Sequence, residues 1–315
     1  MKNIITSIIC SIALIFGLVM CPIIYFNDGP KLTAKQEDIL IVLLIIMSVS
    51  ILYCFVVGEI TRNNSQMDKL WSILPIIYSW VIAGMGGMSL RLIITAILIT
   101  IWGIRLTINF GRKGAYKLKF WQGEEDYRWV FLRKTKIFRN KFVWALFDLF
   151  FISIYQNVLV LLITLPLLMC VGSVDSFNYI DIIAIILSIL FVIYELVADE
   201  QQWKFQSKKW SELNSGKKLS DLDYPYNLGF NTTGLWRYSS HPNYFGEQAF
   251  WVSIYIFSIA SGAEVFNYYM FGPLLLILLF IGSSTFGEYI SSTKYPEYKK
   301  YSKKVFRYIP LIKYK

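Results

Sequence analysis

The chain has 315 residues; 56% are hydrophobic, only 17% are charged, and the formal net charge is +10. A soluble domain carries about 25% charged residues, so this composition, with a mean hydropathy of +0.49, excludes an ordinary soluble fold. The apolar residues form uncharged runs and do not alternate with polar ones, which excludes a transmembrane barrel and predicts an all-α, polytopic transmembrane helical bundle of 7–8 spans folded as a single domain over 1–315.

Eight runs are long enough to be spans. In chain order they are Ile4–Phe26, Ile39–Gly58, Trp71–Met88, Leu92–Phe110, Phe142–Val171, Tyr179–Ala198, Pro242–Ala263 and Phe266–Phe286. The first follows Lys2 as a signal peptide would, but its apolar run is longer than a signal core and lacks a small-residue cleavage site, so it reads as a retained span. The third and fourth are separated only by Ser89, Leu90 and Arg91 and predict a tight hairpin. The fifth contains Asp148 and Pro166 and exceeds what a bilayer needs, so it either tilts or begins at the interface. With the N-terminus in the cytoplasm, the cytoplasmic segments hold 27 of the 31 basic residues. That asymmetry puts both termini on the cytoplasmic side. It also accounts for the net charge, together with attraction to anionic lipid, without any nucleic acid partner. Asn63-Asn64-Ser65 and Asn231-Thr232-Thr233 fit the glycosylation pattern but fall on the cytoplasmic side and are expected to stay bare.

Between the spans, Gly111–Lys141 is rich in Lys, Arg, Trp and Tyr and suits the headgroup region. Asp199–Leu213 reads as a helix continuing from the sixth span, with Trp203 and Trp210 on one side and Ser215-Gly216 as its stop. Cys10, Cys21, Cys54 and Cys170 lie in spans, and no C-x-x-C occurs, so they read as small buried hydrophobes; no metal site is expected.

The densest polar stretch next to a span is Gly234-Leu235-Trp236-Arg237-Tyr238-Ser239-Ser240-His241-Pro242-Asn243-Tyr244-Phe245-Gly246-Glu247, which holds the one histidine of the chain. Pro242 suits the first position of a helix, with Ser240 or His241 at the cap. Free N–H groups and the helix dipole there favour an anionic phosphate. Asn243 and Glu247 share a helical face, and Gly246 admits a close backbone or a flat ring. The stretch reads either as a nucleotide seat or as a capped helix start with Trp236 and Tyr244 in the aromatic belt.

This stretch resembles the signature G-L-W-R-Y-S-R-H-P-N-Y-F-G-E of the steroid 5-alpha-reductase-like C-terminal family, matching thirteen of fourteen positions. Ser240 stands where the family usually has Arg. Further resemblances run in order: Asp68-Lys69-Leu70-Trp71 to D-x-x-W, Trp102-Gly103-Ile104-Arg105-Leu106 to W-x-x-R-L, Gly123–Arg128 to the G-E-D region, Ala198-Asp199-Glu200-Gln201 to A-D-x-Q, and Tyr295-Pro296-Glu297-Tyr298 with Tyr308-Ile309-Pro310 to the tail. The resemblance covers about 65–315, leaving 1–64 as variable N-terminal spans. It implies an NADPH-dependent membrane oxidoreductase that reduces a carbon–carbon double bond of a steroid- or lipid-like enone entering from the bilayer. By matching position it implies nicotinamide contacts for Asn243, Tyr244 and Glu247, and phosphate or ribose contacts for Arg237, His241 and Arg128. It also implies cofactor contacts for Asn109 and Arg112, a cavity role for Arg105, and closure by Tyr295 and Tyr298. Asp68 and Tyr78 are the proton-donor candidates, chosen by location, with Asp68 equally an N-cap of the third span. Fold relatives of the family include isoprenylcysteine carboxyl methyltransferases, so S-adenosylmethionine is the alternative cofactor and a non-catalytic lipid-binding protein the other alternative. The expected location is the endoplasmic reticulum in a eukaryote, or the inner or plasma membrane in a bacterium.

Overall fold

The computed structural model describes residues 31–173 and 176–311; the expected span Ile4–Phe26, with Cys10 and Cys21, lies outside the described residues. The described chain is helical, and its one β feature is an isolated parallel bridge between Ser239 and Phe306. Five helices are long and apolar enough to cross a membrane: Ala34–Thr61 (α1), Leu90–Gly111 (α4), the helical run Lys141–Cys170 (α6), Tyr179–Asn214 (α7) and Tyr268–Lys294, whose α-helical part is Phe271–Lys294 (α9). Short helices Gln66–Leu70 (α2), Leu74–Gly86 (α3), Tyr127–Arg133 (α5) and Tyr298–Lys304 (α10) complete the set with Pro242–Ala260 (α8).

Local chemistry sets these limits. Thr33 and Gln36 form a reciprocal capping box that starts α1. The Gln36 amide also donates to the carbonyls of Leu168 and Val171, tying the start of α1 to the end of α6. Ile41, Ile45, Val49, Leu52 and Ile60 on α1 are exposed, as a lipid-facing stripe requires. The expected third span is helical only over the 13 residues of α3, about 20 Å at 1.5 Å per residue. Pro75 fits the opening of that helix, and Gly87 and Met88 turn left-handed at its end. The hairpin into α4 follows, with Ser89 accepting from Leu92 N. Arg91, placed by sequence in the loop, is instead inside the first turn of α4 and buried; its guanidinium meets both oxygens of Asp181, at 2.7 and 2.8 Å, and the carbonyls of Ser176 and Ala260.

α6 accommodates its polar residues by changing pitch. Asn140 caps it, Asp148–Tyr155 is wound as π-helix, and Leu165–Cys170 tightens to 3₁₀ around Pro166. α7 runs 36 residues, so the apolar span does continue into the polar Asp199–Leu213 segment as expected, and Gly216 follows its end at positive φ. α8 begins at Pro242, as its sequence predicts. It is not among the five most apolar helices, because Asn243, Glu247 and Gln248 occupy its first turns.

The described residues divide into two compact units. One comprises 31–173, 176–186 and 251–276; the other comprises 187–250 and 277–311. Helices α7, α8 and α9 each contribute residues to both.

Candidate functional site

In the first unit, segment 63–69 acts as a clamp on the basic loop that follows α4. Asn63 donates to Gly123 O, Gln66 to Trp121 O, and the Lys69 ammonium to the carbonyls of Phe120 and Gln122 at 2.8 Å each. Asn64 N donates to Glu125, which pairs with Arg133. Asp68 lies inside α2 and accepts from the Trp129 indole at 2.9 Å; it does not cap α3, which starts six residues later behind Ile73. Ser65 Oγ accepts from Asp126 N, and Asp126 caps α5 and takes both arms of Arg128. The first and third matched motifs are thus one assembly. Burial raises the Asp68 carboxyl above its ordinary range, and the neighbouring Asp126 carboxylate adds to this. Burial works on Asp126 in the same direction, but the contact with Arg128 outweighs it and lowers that carboxyl.

On α4, Trp102 is fully buried and meets Trp251 edge to face with centroids 4.9 Å apart. Arg105 is buried in the same helix. Asn109 and Arg112 are in direct contact, the guanidinium donating to Asn109 Oδ1 at 2.7 and 3.1 Å. Tyr78 on α3 is fully buried, with its hydroxyl unpartnered.

The second unit assembles the remaining motifs. Gln201 of the A-D-x-Q run accepts from Leu235 N at 2.8 Å, and Ala198 O accepts from the Trp236 indole at 3.0 Å. Gly234 sits at φ +59°, where a Cβ would lie 2.4 Å from Gln201 Oε1, so only glycine fits. Gly246 packs against the α7 backbone: its Cβ would be 2.7 Å from Glu195 Cβ. Of the two close approaches the sequence allowed, backbone or flat ring, the structure uses the first. Asn243 donates to Asp199 at 3.2 Å, while its own Oδ1 is buried without a partner. Tyr244 stacks on His241 and packs on Phe280. Glu247 is buried and Arg237 exposed.

The cap of α8 is built differently from the sequence expectation. Ser240 N and His241 N donate to Phe306 O and Arg307 O, so these two amides are taken by the tail. Glu288 of α9 sits against the same place. It accepts from Ser240 Oγ at 3.2 Å, lies 3.3 Å from His241 Nε2, and pairs with Arg307 at 2.9 Å. Arg307 therefore supplies a guanidinium beside the position where the resembled family carries one and this chain has Ser240. Neither Glu288 nor Arg307 was legible as a site residue; a tail arginine among many basic residues gives no signal. Tyr295 packs against Gly229 and Phe230, and Tyr298 meets Phe230 edge to face. Both close over the 229–230 connector.

Does this residue set fit a dinucleotide? The unpartnered Asn243 Oδ1 suits the N–H of a carboxamide, and Arg237 and Arg112 are cations suited to phosphate. At His241 the fit is conditional, since a phosphate there shares its cations with the Glu288 carboxylate.

A family model described as a protein of unknown function, DUF1295, matches residues 54–305. The chain therefore belongs to the DUF1295 family, which is associated with steroid 5-alpha-reductase-like proteins. It is also 36% identical over 280 residues to the uncharacterized protein C594.04c of Schizosaccharomyces pombe, covering 83% of this chain and 79% of that one. No solved structure matches.

Proposed function

We propose that this chain is an NADPH-dependent membrane reductase acting on a carbon–carbon double bond of a hydrophobic, steroid- or lipid-like enone. The observation that carries the reading is the joining of the A-D-x-Q run to the signature stretch. Gln201 and Ala198 hold Leu235 and Trp236, and Asp199 holds Asn243 so that its buried carbonyl oxygen is left to receive a donor. NADPH would supply the hydride. Asn243, Tyr244 and Glu247 would orient its nicotinamide half; Arg237, His241, Arg128, Asn109 and Arg112 would hold phosphate or ribose, with Arg105, Tyr295 and Tyr298 lining and closing the pocket. Asp68 and Tyr78 are the groups offered for the proton. Hydride reaches the β-carbon, the enone oxygen gains negative charge that a hydrogen-bond donor must stabilise, and the α-carbon takes a proton. A membrane enzyme suits this chemistry, since the substrate comes from the bilayer and the cofactor from water. The endoplasmic reticulum, or the bacterial inner membrane, is the matching location.

The test is cofactor binding by detergent-purified protein. NADPH in excess should raise the melting temperature by simple linkage. Asn243→Ala and Glu247→Ala should each lose that rise. A shift with S-adenosylmethionine alone would overturn the reductase in favour of a methyltransferase. No shift with NADPH, NADH or S-adenosylmethionine would leave a lipid-binding protein without this chemistry.

A further inference from the structure

Halfway along α1, Ser50 and Cys54 stand one turn apart. α1 packs against α3 and α6, which also pack on each other. Tyr78 of α3 and Asn157 of α6 lie in that three-helix contact, and all four side chains are at least nine-tenths buried: Ser50 at 6% exposure, Cys54 at 2%, Tyr78 and Asn157 at 0%. The Cys54 thiol is their common neighbour. It is 3.9 Å from the Asn157 amide nitrogen and within electrostatic reach of the Tyr78 hydroxyl.

The hydrogen-bond accounting of this cluster does not close. Asn157 Nδ2 donates to Ser153 O at 2.7 Å. Asn157 Oδ1, Tyr78 Oη and Ser50 Oγ have no partner among the described residues. Water is scarce in a hydrocarbon core, and an unsatisfied hydroxyl or amide there is costly. Polar side chains at membrane depth face something that binds them. The three free groups are neutral: two hydroxyls that both donate and accept, and one amide oxygen that only accepts.

We propose that Ser50, Tyr78 and Asn157 form a seat, between α1, α3 and α6, for the oxygen of a neutral, apolar-bodied ligand dissolved in the bilayer. A ketone oxygen is held by the Tyr78 and Ser50 hydroxyls. An alcohol is held by the same pair and donates in turn to Asn157 Oδ1. The seat shares Tyr78 with the reading above but does not rest on its redox half, since binding requires no nucleotide.

The test uses the full chain in phosphatidylcholine nanodiscs without nucleotide, with three probes of one skeleton: decalone, decalol and decalin. The ketone and the alcohol should each raise the melting temperature, and the hydrocarbon should not. Tyr78→Phe, which keeps the ring and removes only the hydroxyl, should abolish both responses. Asn157→Leu should weaken the alcohol response more than the ketone response; Ser50→Ala gives a second reading of the ketone arm if Asn157→Leu does not fold. The proposal is overturned if decalin matches the oxygenated probes, if no probe shifts the transition, or if Tyr78→Phe keeps both responses. Loss of NADPH binding with the probe responses intact would remove the reductase reading and leave the seat standing.

Discussion

Lys69 shows how a single side chain can report on the assembly around it. Its ammonium is fully buried, held by two backbone carbonyls and lying over the Phe120 ring. Burial lowers its pKa from 10.5 to about 8, while Asp68 beside it pulls the other way. The folded chain therefore gives up this proton near pH 8 and the unfolded chain near 10.5. Between those values the unfolded state binds more protons, so this residue's contribution to stability rises with pH and is flat below pH 8. Melting temperatures of wild type and Lys69→Gln, measured from pH 7.5 to 10, should diverge in slope, with the added rise present only in wild type. Parallel slopes would mean that the ammonium is solvated and that the clamp on Phe120 and Gln122 is open.

Among the helices, the Arg91–Asp181 pair joins the first turn of α4 to the first turn of α7 with both partners buried. Removing one partner of such a pair costs about 3–5 kcal/mol, because the other charge is left without compensation, whereas replacing both with apolar residues is often neutral. Arg91→Leu and Asp181→Leu should each lower the melting temperature sharply, and the double variant should recover most of the loss. Strict additivity in that cycle would deny the coupling. Sequence patterning read this level well where local rules decide: Pro242 opens α8, α7 runs on past Ala198 to Asn214, and the hairpin falls at Ser89. It read poorly where distant partners decide. The run Trp71–Met88 is apolar enough for a span, but Pro75 and Gly87 confine its helix to 13 residues. Arg91 looked like a loop cation because Asp181 is remote in sequence. His241 was legible as a special residue, but its neighbours Glu288 and Arg307 come from another helix and the tail, which no spacing rule connects to it.

At the scale of the whole molecule, chain order and spatial order part company. In the second unit the tail lies along the signature stretch through the Ser239–Phe306 bridge, the Ser240 and His241 amides, and the Tyr301 hydroxyl, which donates to the carbonyls of Trp236 and Ser239. Ending the chain after Lys304 should remove the backbone part of this strap. Limited proteolysis should then cut between residues 229 and 241 much faster than in the full chain, and NADPH protection of that region should vanish. An unchanged cleavage rate would show that α8 holds its own start.

The same strap has a consequence in time. The signature stretch is translated well before the segment that satisfies its amides, so every nascent chain passes through a stage in which 234–241 has been made but cannot yet be closed. A message cut short downstream yields a protein inserted with nearly all its spans and an open segment at the membrane surface, the kind of exposed polar backbone that membrane quality control removes. Completion of the site thereby coincides with synthesis of the tail, and a partial chain carries a visible mark of being partial.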